Sequence, residues 1–187
     1  YFLGKGYESR RVMGLMSNIG VHKQDPPNAV QIGIVEGCSL NCYFCGVQGI
    51  RETKGGYKFM EKGVINHLCN LLAKARDTHK WTPRVELAVH GEPTMHPDLI
   101  EYVSLLGSIN PRELILITNG TRLVKNHTKI IDQLFDKGLT SMCLDEYDGC
   151  DFADKIRKGY KGNIPIYEYT GAKKQKFRGG DKRIVIK

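Results

Sequence analysis

From residue 31 onward, short runs of β-favouring apolar residues alternate with longer segments whose apolar residues recur at helical spacing. This alternation is typical of strand–helix units around a parallel sheet, and it fits a β-sandwich poorly. It predicts six strands with four helices among them. The predicted strands cover residues 31–35, 84–89, 113–118, 141–144, 164–169 and 183–187. The predicted helices cover residues 60–76, 97–108, 128–137 and 151–158.

Local signals support these helices. Val64, Leu68 and Leu72 recur at helical spacing in the first one. Pro97 suits the opening turn of the second, and Gly138 suits the end of the third. Right-handed crossovers between such units predict an α/β fold, a partial (β/α)6 sheet of the TIM-barrel type. In that arrangement the loops that follow the strands share one rim.

The chain has 187 residues, 41% hydrophobic and 26% charged, a composition that supports one soluble domain with a real core. Its longest apolar stretches, such as residues 114–117, are far shorter than the roughly 20 residues of a membrane-spanning helix. No signal peptide is visible, so a cytoplasmic location is predicted. The sequence begins at Tyr1, and its natural start is expected to be missing. Residues 1–30 are interpreted as a lead-in or cap, and residues 31–187 as the core domain.

The net charge of +8 is concentrated near the C-terminus. Residues 155–187 contain eleven Lys and Arg residues against two acidic ones, and residues 171–182 within them are predicted to form a basic loop. Such a segment suits contact with phosphates, an acidic partner or an anionic substrate, but a solvated basic face is the commoner explanation. The charge is therefore weak support for an RNA partner, and no membrane partner is predicted.

Three of the six cysteines, Cys38, Cys42 and Cys45, fall within eight residues in the loop after the first predicted strand. This crowding is unsuited to a distributed disulfide framework and indicates a metal site. Three thiolates on an iron–sulfur cubane leave one iron open to another ligand. The alternatives are a zinc site with a fourth ligand such as His90, or three unmetallated thiols. A zinc finger would need a second ligand pair, which the sequence does not show.

Polar and glycine residues follow the next three predicted strands. Gly91, Glu92 and Pro93 come after the second strand, Asn119 after the third and Asp145 after the fourth. Because ligands bind at the carboxyl ends of parallel strands, these residues are expected to share one site with the cysteines.

Together these segments resemble the signatures of radical S-adenosylmethionine (radical SAM) enzymes. The cysteine motif has an aromatic residue before its last cysteine, residues 89–98 read VHGEPTMHPD, residues 116–121 read LITNGT and residues 143–145 read CLD. The resemblance covers residues 31–158 in the family's order. In motif style it is nearest the peptide-modifying and cofactor-maturation branches, which often carry an additional C-terminal iron–sulfur domain. These residues show no motif of that domain, so a minimal or truncated core is expected.

The resemblance implies that Cys38, Cys42 and Cys45 hold a [4Fe–4S] cluster whose fourth iron chelates SAM. It implies that Glu92 and the Gly91 backbone receive the methionine ammonium. The other implied SAM contacts are Phe44, Pro93, Thr118, Asn119, Cys143, Asp145 and Arg157. The implied reaction is reductive cleavage of SAM to methionine and a 5′-deoxyadenosyl radical. That radical abstracts hydrogen from a peptide, protein or small-molecule substrate, and flavodoxin or ferredoxin donates the electron.

Several residues keep two interpretations. His90 replaces a glycine of the family pattern and is either an extra polar contact or a core histidine. Cys143 either donates weakly to SAM or is simply buried, and with Cys150 it is too small a ligand set for a second cluster. Arg157 is either a ligand of the SAM carboxylate or a surface arginine. Cys69 is predicted to pack in the core.

Two alternative functions remain open. One is a radical SAM enzyme that acts on a nucleotide or RNA. The other is a non-catalytic, metal-stabilised module that binds nucleic acid through residues 155–187, in which case binding would weaken steeply with salt.

Overall fold

The computed structural model describes residues 27–40, 42, 45, 56–89, 91–146, 151–168 and 182–186. Several features singled out in the sequence therefore lie outside the described residues. They are most of the lead-in, Phe44, His90, Cys150 and all but the last residue of the 171–182 loop.

The described residues form eight strands and four α-helices. The strands are β1 (Ala29–Ile32), β2 (Val35–Glu36), β3 (Lys58–Phe59), β4 (Arg84–Leu87), β5 (Glu113–Thr118), β6 (Ser141–Leu144), β7 (Ile166–Glu168) and β8 (Arg183–Ile186). The helices are α1 (Lys62–His79), α2 (Leu99–Ser108), α3 (His127–Asp136) and α4 (Phe152–Gly159).

Six strands form one parallel sheet in the order β1-β4-β5-β6-β8-β7, and β2 pairs with β3 as a separate antiparallel hairpin. The parallel α/β sheet confirms the predicted fold class, a partial barrel of strand–helix units. The order of the last two strands differs from a simple succession, because β8 lies between β6 and β7.

The two faces of the sheet differ in character. Leu87, Leu116, Met142 and Ile184 are aligned across four strands, and all are fully buried. Helices cover this face and supply apolar side chains to a continuous core. These buried side chains are Ile65, Cys69 and Leu72 from α1, Tyr102, Val103 and Leu106 from α2, Ile131, Leu134 and Phe135 from α3, and Ala153 and Ile156 from α4. The predicted core position of Cys69 is therefore confirmed.

Strands 113–118 and 141–144 match their predicted bounds, whereas the first predicted strand, 31–35, is wrong as a single element. The chain instead ends β1 at Ile32 and, after two intervening residues, forms β2, which leaves the sheet to pair with β3. The second predicted helix ends at Ser108 as expected, and the other helix ends differ from their predicted positions by one to three residues. None of the helices in the described ranges combines the length and apolar character that a bilayer crossing requires.

Candidate functional site

The backbones after β2 and β4 meet at two glycines, Gly37 and Gly91, which form a parallel bridge. A Cβ at Gly91 would lie 2.3 Å from the Gly37 carbonyl oxygen and 2.5 Å from that of Val35, so no larger residue fits. Gly37 has a φ of +113°, which glycine adopts readily. The Glu92 amide then donates to the Gly37 carbonyl at 2.9 Å. These contacts place the start of the cysteine loop directly beside Glu92.

Glu92 is the buried carboxylate at the centre of this edge, with 2% of its surface exposed. Its Oε1 accepts from the Thr94 amide at 3.0 Å, the Thr94 hydroxyl at 2.6 Å and the Thr118 hydroxyl at 2.5 Å. Its Oε2 accepts from the Asn119 amide at 2.8 Å. All four donors are neutral, so they hold the carboxylate in place without cancelling its charge.

Pro93 opens a 3-10 turn, Pro93–Met95, for which Glu92 is the N-cap. The next residue, His96, is buried and accepts from the Asp98 amide at Nδ1, at 3.0 Å. Its Nε2 therefore carries the proton and donates to the Met60 carbonyl at 3.2 Å. The Tyr102 hydroxyl donates to the same carbonyl at 2.7 Å, and burial raises the pKa of Tyr102. The two side chains thus fix the chain where it returns from the cysteine loop.

Asn119 connects the end of β5 to the cysteine loop. Its Oδ1 accepts from the Thr121 amide at 2.9 Å and from the Thr121 hydroxyl at 2.6 Å. Its Nδ2 lies 3.5 Å from Cys38 Sγ and 3.3 Å from Ser39 Oγ. Ser39 in turn donates to the Thr121 hydroxyl at 3.1 Å.

Cys38, Cys42 and Cys45 are reduced and half-buried. The Cys45 amide donates to the Cys42 carbonyl at 3.1 Å, and the Leu40 amide approaches Cys38 Sγ at 3.5 Å. Amide donors aimed at a cysteine sulfur suit an anionic thiolate, so this donor set fits an iron–sulfur cluster. Across the described part of the chain, no three His, Cys, Asp or Glu side chains already form a compact metal-binding group.

Two predicted SAM contacts lie on or after β6. Cys143 is 8% exposed and is aligned with Ile117 and Val185, on the face of the sheet opposite the helices. The Asp145 amide donates to the Thr118 carbonyl at 2.9 Å, which continues the parallel pairing one step past the strand end. Both residues therefore belong to the same edge as Glu92, and their contacts with SAM stay predictions.

Arg157 lies on α4, with 45% of its side chain exposed. It donates to Glu168 at 2.5 Å and also forms an ion pair with Asp154. These two acids raise the pKa of Arg157 and occupy its guanidinium on the surface. The structure therefore places Arg157 with surface carboxylates, and its role toward SAM stays a prediction.

Three other cations of the basic C-terminal segment also form ion pairs. Lys155 pairs with Asp151 at 2.8 Å, Lys158 with Asp154 at 2.5 Å and Arg183 with Glu113 at 2.6 Å. Internal pairing leaves less of this charge for phosphate contacts, which favours the solvated-face interpretation.

Ser39, Thr121 and Tyr102 contribute to this edge and were not predicted from the sequence. Thr121 had a usable signal, because a hydroxyl two residues after an asparagine often bonds to its side-chain oxygen. Ser39 and Tyr102 contact partners 80 and 42 residues away, and no local pattern reports such contacts.

Among curated proteins, the chain is similar to two archaeal proteins named "Probable GTP 3',8-cyclase". It is 28% identical over 134 residues to the one from Methanococcus maripaludis, covering 72% of this chain and 41% of the relative. It is 26% identical over 107 residues to the one from Methanothermobacter thermautotrophicus, covering 55% and 32%. The chain thus spans less than half the length of these relatives.

Among solved structures, the fold is similar to BtrN in complex with AdoMet and 2-DOIA, with a TM-score of 0.57 and 15% identity. That match covers 87% of this chain and 57% of BtrN. BtrN in an open conformation gives a TM-score of 0.54. At this identity the likeness supports the partial-barrel fold alone.

The family model of the radical SAM superfamily matches residues 32–162. This range includes the three clustered cysteines, the Glu92 network and the strand ends of β5 and β6. Enzymes of this family use a [4Fe–4S] cluster and SAM, which agrees with the cofactors that the cysteine motif predicts. Because the match spans well over half of its residues, the chain belongs to the radical SAM superfamily.

Proposed function

We propose that this chain is the core of an enzyme that cleaves SAM reductively and abstracts hydrogen from a small-molecule substrate. The observation that carries the proposal is the continuous hydrogen-bond chain from Gly37 through Glu92 and Asn119 to Cys38. It joins three strand ends around one buried carboxylate and one cysteine sulfur. A cluster on Cys38, Cys42 and Cys45 would supply the electron that breaks a carbon–sulfur bond of SAM.

Glu92 is proposed to receive the ammonium of SAM. Its Oε2 has a single hydrogen-bond donor among the described residues, the Asn119 amide, so that oxygen retains a lone pair. A cation there would meet a buried carboxylate whose other partners are uncharged, a setting in which charge-assisted hydrogen bonds are strong. Thr118 helps to hold Glu92 in this position, because its hydroxyl donates to Glu92 and accepts from the Gly120 amide.

A purine nucleoside triphosphate is the first substrate class to test. The support is the name of the two curated relatives, which match up to 72% of this chain. A peptide or protein substrate is the second candidate, favoured by the motif style of residues 89–98 and 116–121. The proposed electron donor is a flavodoxin or ferredoxin, and the proposed location is the cytoplasm, where thiols stay reduced.

The test begins with anaerobic reconstitution of the chain with iron and sulfide. Electron paramagnetic resonance (EPR) of the dithionite-reduced protein is expected to show a [4Fe–4S]⁺ signal that changes when SAM is added. Chromatography then measures 5′-deoxyadenosine with no substrate, with GTP, and with ATP as the matched nucleotide. A GTP substrate is expected to raise its formation about tenfold or more over ATP.

Two alanine variants separate ligation from general loss of a cysteine. Cys42→Ala removes a proposed ligand and is expected to abolish the SAM-dependent signal. Cys69→Ala removes a buried core cysteine and should retain it, with only a modest loss of stability. A colourless protein that binds one zinc would contradict the catalytic proposal and favour the metal-stabilised module.

A further inference from the structure

The side-chain amide of Asn119 has a defined orientation. Its Oδ1 receives the backbone N–H of Thr121, a group that can only donate. The NH₂ group must therefore face the other way, toward the cysteine loop. The Thr121 hydroxyl donates to the same oxygen and reinforces this orientation.

Both hydrogens of the Asn119 NH₂ group are directed at the cysteine loop. One partner is Cys38 Sγ at 3.5 Å and the other is Ser39 Oγ at 3.3 Å. Asn119 is 6% exposed, so little water competes with these contacts. A shielded amide dipole acts strongly on a nearby charge, because the surroundings screen it poorly.

We infer that Asn119 sets the reduction potential of the iron–sulfur cluster carried by Cys38. An N–H···S hydrogen bond to a cysteine ligand stabilises negative charge on the sulfur. Reduction by a low-potential one-electron donor adds one electron to the cluster and transfers no proton to or from Asn119. The amide therefore stabilises the reduced form more than the oxidised form and raises the potential. This inference rests on the cluster ligation in the proposed function and is separate from SAM cleavage.

The test is a potentiometric EPR titration of the reconstituted protein without SAM. Asn119→Asp keeps an oxygen for the Thr121 donors but replaces NH₂ with a carboxylate oxygen. Asn119→Ser removes the NH₂ group without adding charge, and its shorter side chain carries the hydroxyl one bond nearer the backbone. Both variants are expected to lower the midpoint potential. Asn119→Asp should lower it more, because it also adds a negative charge beside the cluster. A tenfold fall in the reduced-to-oxidised ratio at fixed potential corresponds to about 59 mV for a one-electron couple.

Ser39→Ala is the matched control. It removes the second partner of the Asn119 NH₂ group but leaves the contact with Cys38 Sγ. Its midpoint potential is expected to stay at the wild-type value. Iron and sulfide content is measured for every variant, so that a change in potential is read only from fully loaded protein.

Unchanged midpoints in loaded Asn119→Asp and Asn119→Ser would overturn the inference. If neither variant retains the cluster, pulsed EPR on reduced Asn41→Gln protein labelled with ¹⁵N-asparagine decides, because this background removes the neighbouring asparagine of the loop. A ¹⁵N coupling to the cluster would support the inference, and its absence would overturn it. Failure of the proposed function looks different, because the wild-type cluster would then titrate normally while no 5′-deoxyadenosine forms.

Discussion

The two ends of the parallel sheet hold largely shielded carboxylates in different ways. At the amino end, Glu113 pairs with Arg183 at 2.6 Å, with 15% and 8% of their side chains exposed. At the carboxyl end, Glu92 is bound by four uncharged donors. The first arrangement cancels charge within the protein, whereas the second fixes a carboxylate and leaves its charge for a cationic ligand. One end is therefore built for stability and the other for binding.

The largest expected effect is on stability at the amino end. Glu113→Gln removes the carboxylate that faces nearly buried Arg183, and breaking such a pair is expected to cost about 3–5 kcal/mol. Denaturant unfolding measures this loss, while the remaining folded protein should bind SAM normally. A loss below about 1 kcal/mol would show that the pair behaves like a surface ion pair.

Glu92→Gln is the matching change at the carboxyl end. The new amide would direct an N–H at the N–H of Asn119, so about 2 kcal/mol of stability should be lost. Removing the charge should also weaken SAM binding to the reconstituted protein about tenfold to a hundredfold by calorimetry. Thr94→Val is the control, since it removes one neutral donor and keeps the carboxylate. Equal SAM affinities in the two variants would contradict the assigned difference between the ends.

His96 tests whether the carboxyl end depends on neutral hydrogen bonds for its shape. His96→Ala removes one of two donors to the Met60 carbonyl and a buried ring, so a loss of about 2–3 kcal/mol is expected. Tyr102→Phe removes only the other donor and should cost about 1 kcal/mol. Iron retention by the reconstituted protein should fall more in His96→Ala than in Tyr102→Phe. Unchanged iron retention in both variants would show that the hydrogen bonds to the Met60 carbonyl do not affect the cysteine loop.

The smallest expected effect is a gain in stability. Val89 has a φ of +91°, in a region that β-branched residues avoid, and its side chain is 43% exposed. Val89→Gly should relieve this strain and stabilise the protein by about 1 kcal/mol. Thermal unfolding measures the shift, and a lower melting temperature would mean that the Val89 side chain stabilises this turn.

The sequence predicted the elements that depend on local pattern. The bounds of β5 and β6 agree with the prediction because each is a compact β-favouring run with clear breaks on both sides. The division between β1 and β2 was not predicted, because it depends on the pairing of Val35 with Phe59 across the cysteine loop. The position of β8 between β6 and β7 was also not visible, since residue patterns predict strands but not their order.

The candidate site divides in the same way. Gly91, Glu92 and Asn119 could be identified from the sequence because each follows a strand end. The hydrogen-bond partners of these residues could not be identified from the sequence, because the partners depend on how distant loops meet. The contact of Asn119 with SAM stays a prediction, and the sequence did not indicate that its NH₂ group faces Cys38, 81 residues earlier in the chain.

The interior position of β8 has a consequence for synthesis of the protein. While the ribosome is still translating the residues after β7, the nascent sheet has an exposed edge at β6, and β7 has no parallel neighbour. β7 obtains its parallel partner, and β6 its second one besides β5, only when Arg183–Ile186 has emerged. Late pairing of this kind slows folding and leaves an edge open to association with other chains. A nascent chain stalled before residue 183 should therefore depend on chaperones more than a chain released after it.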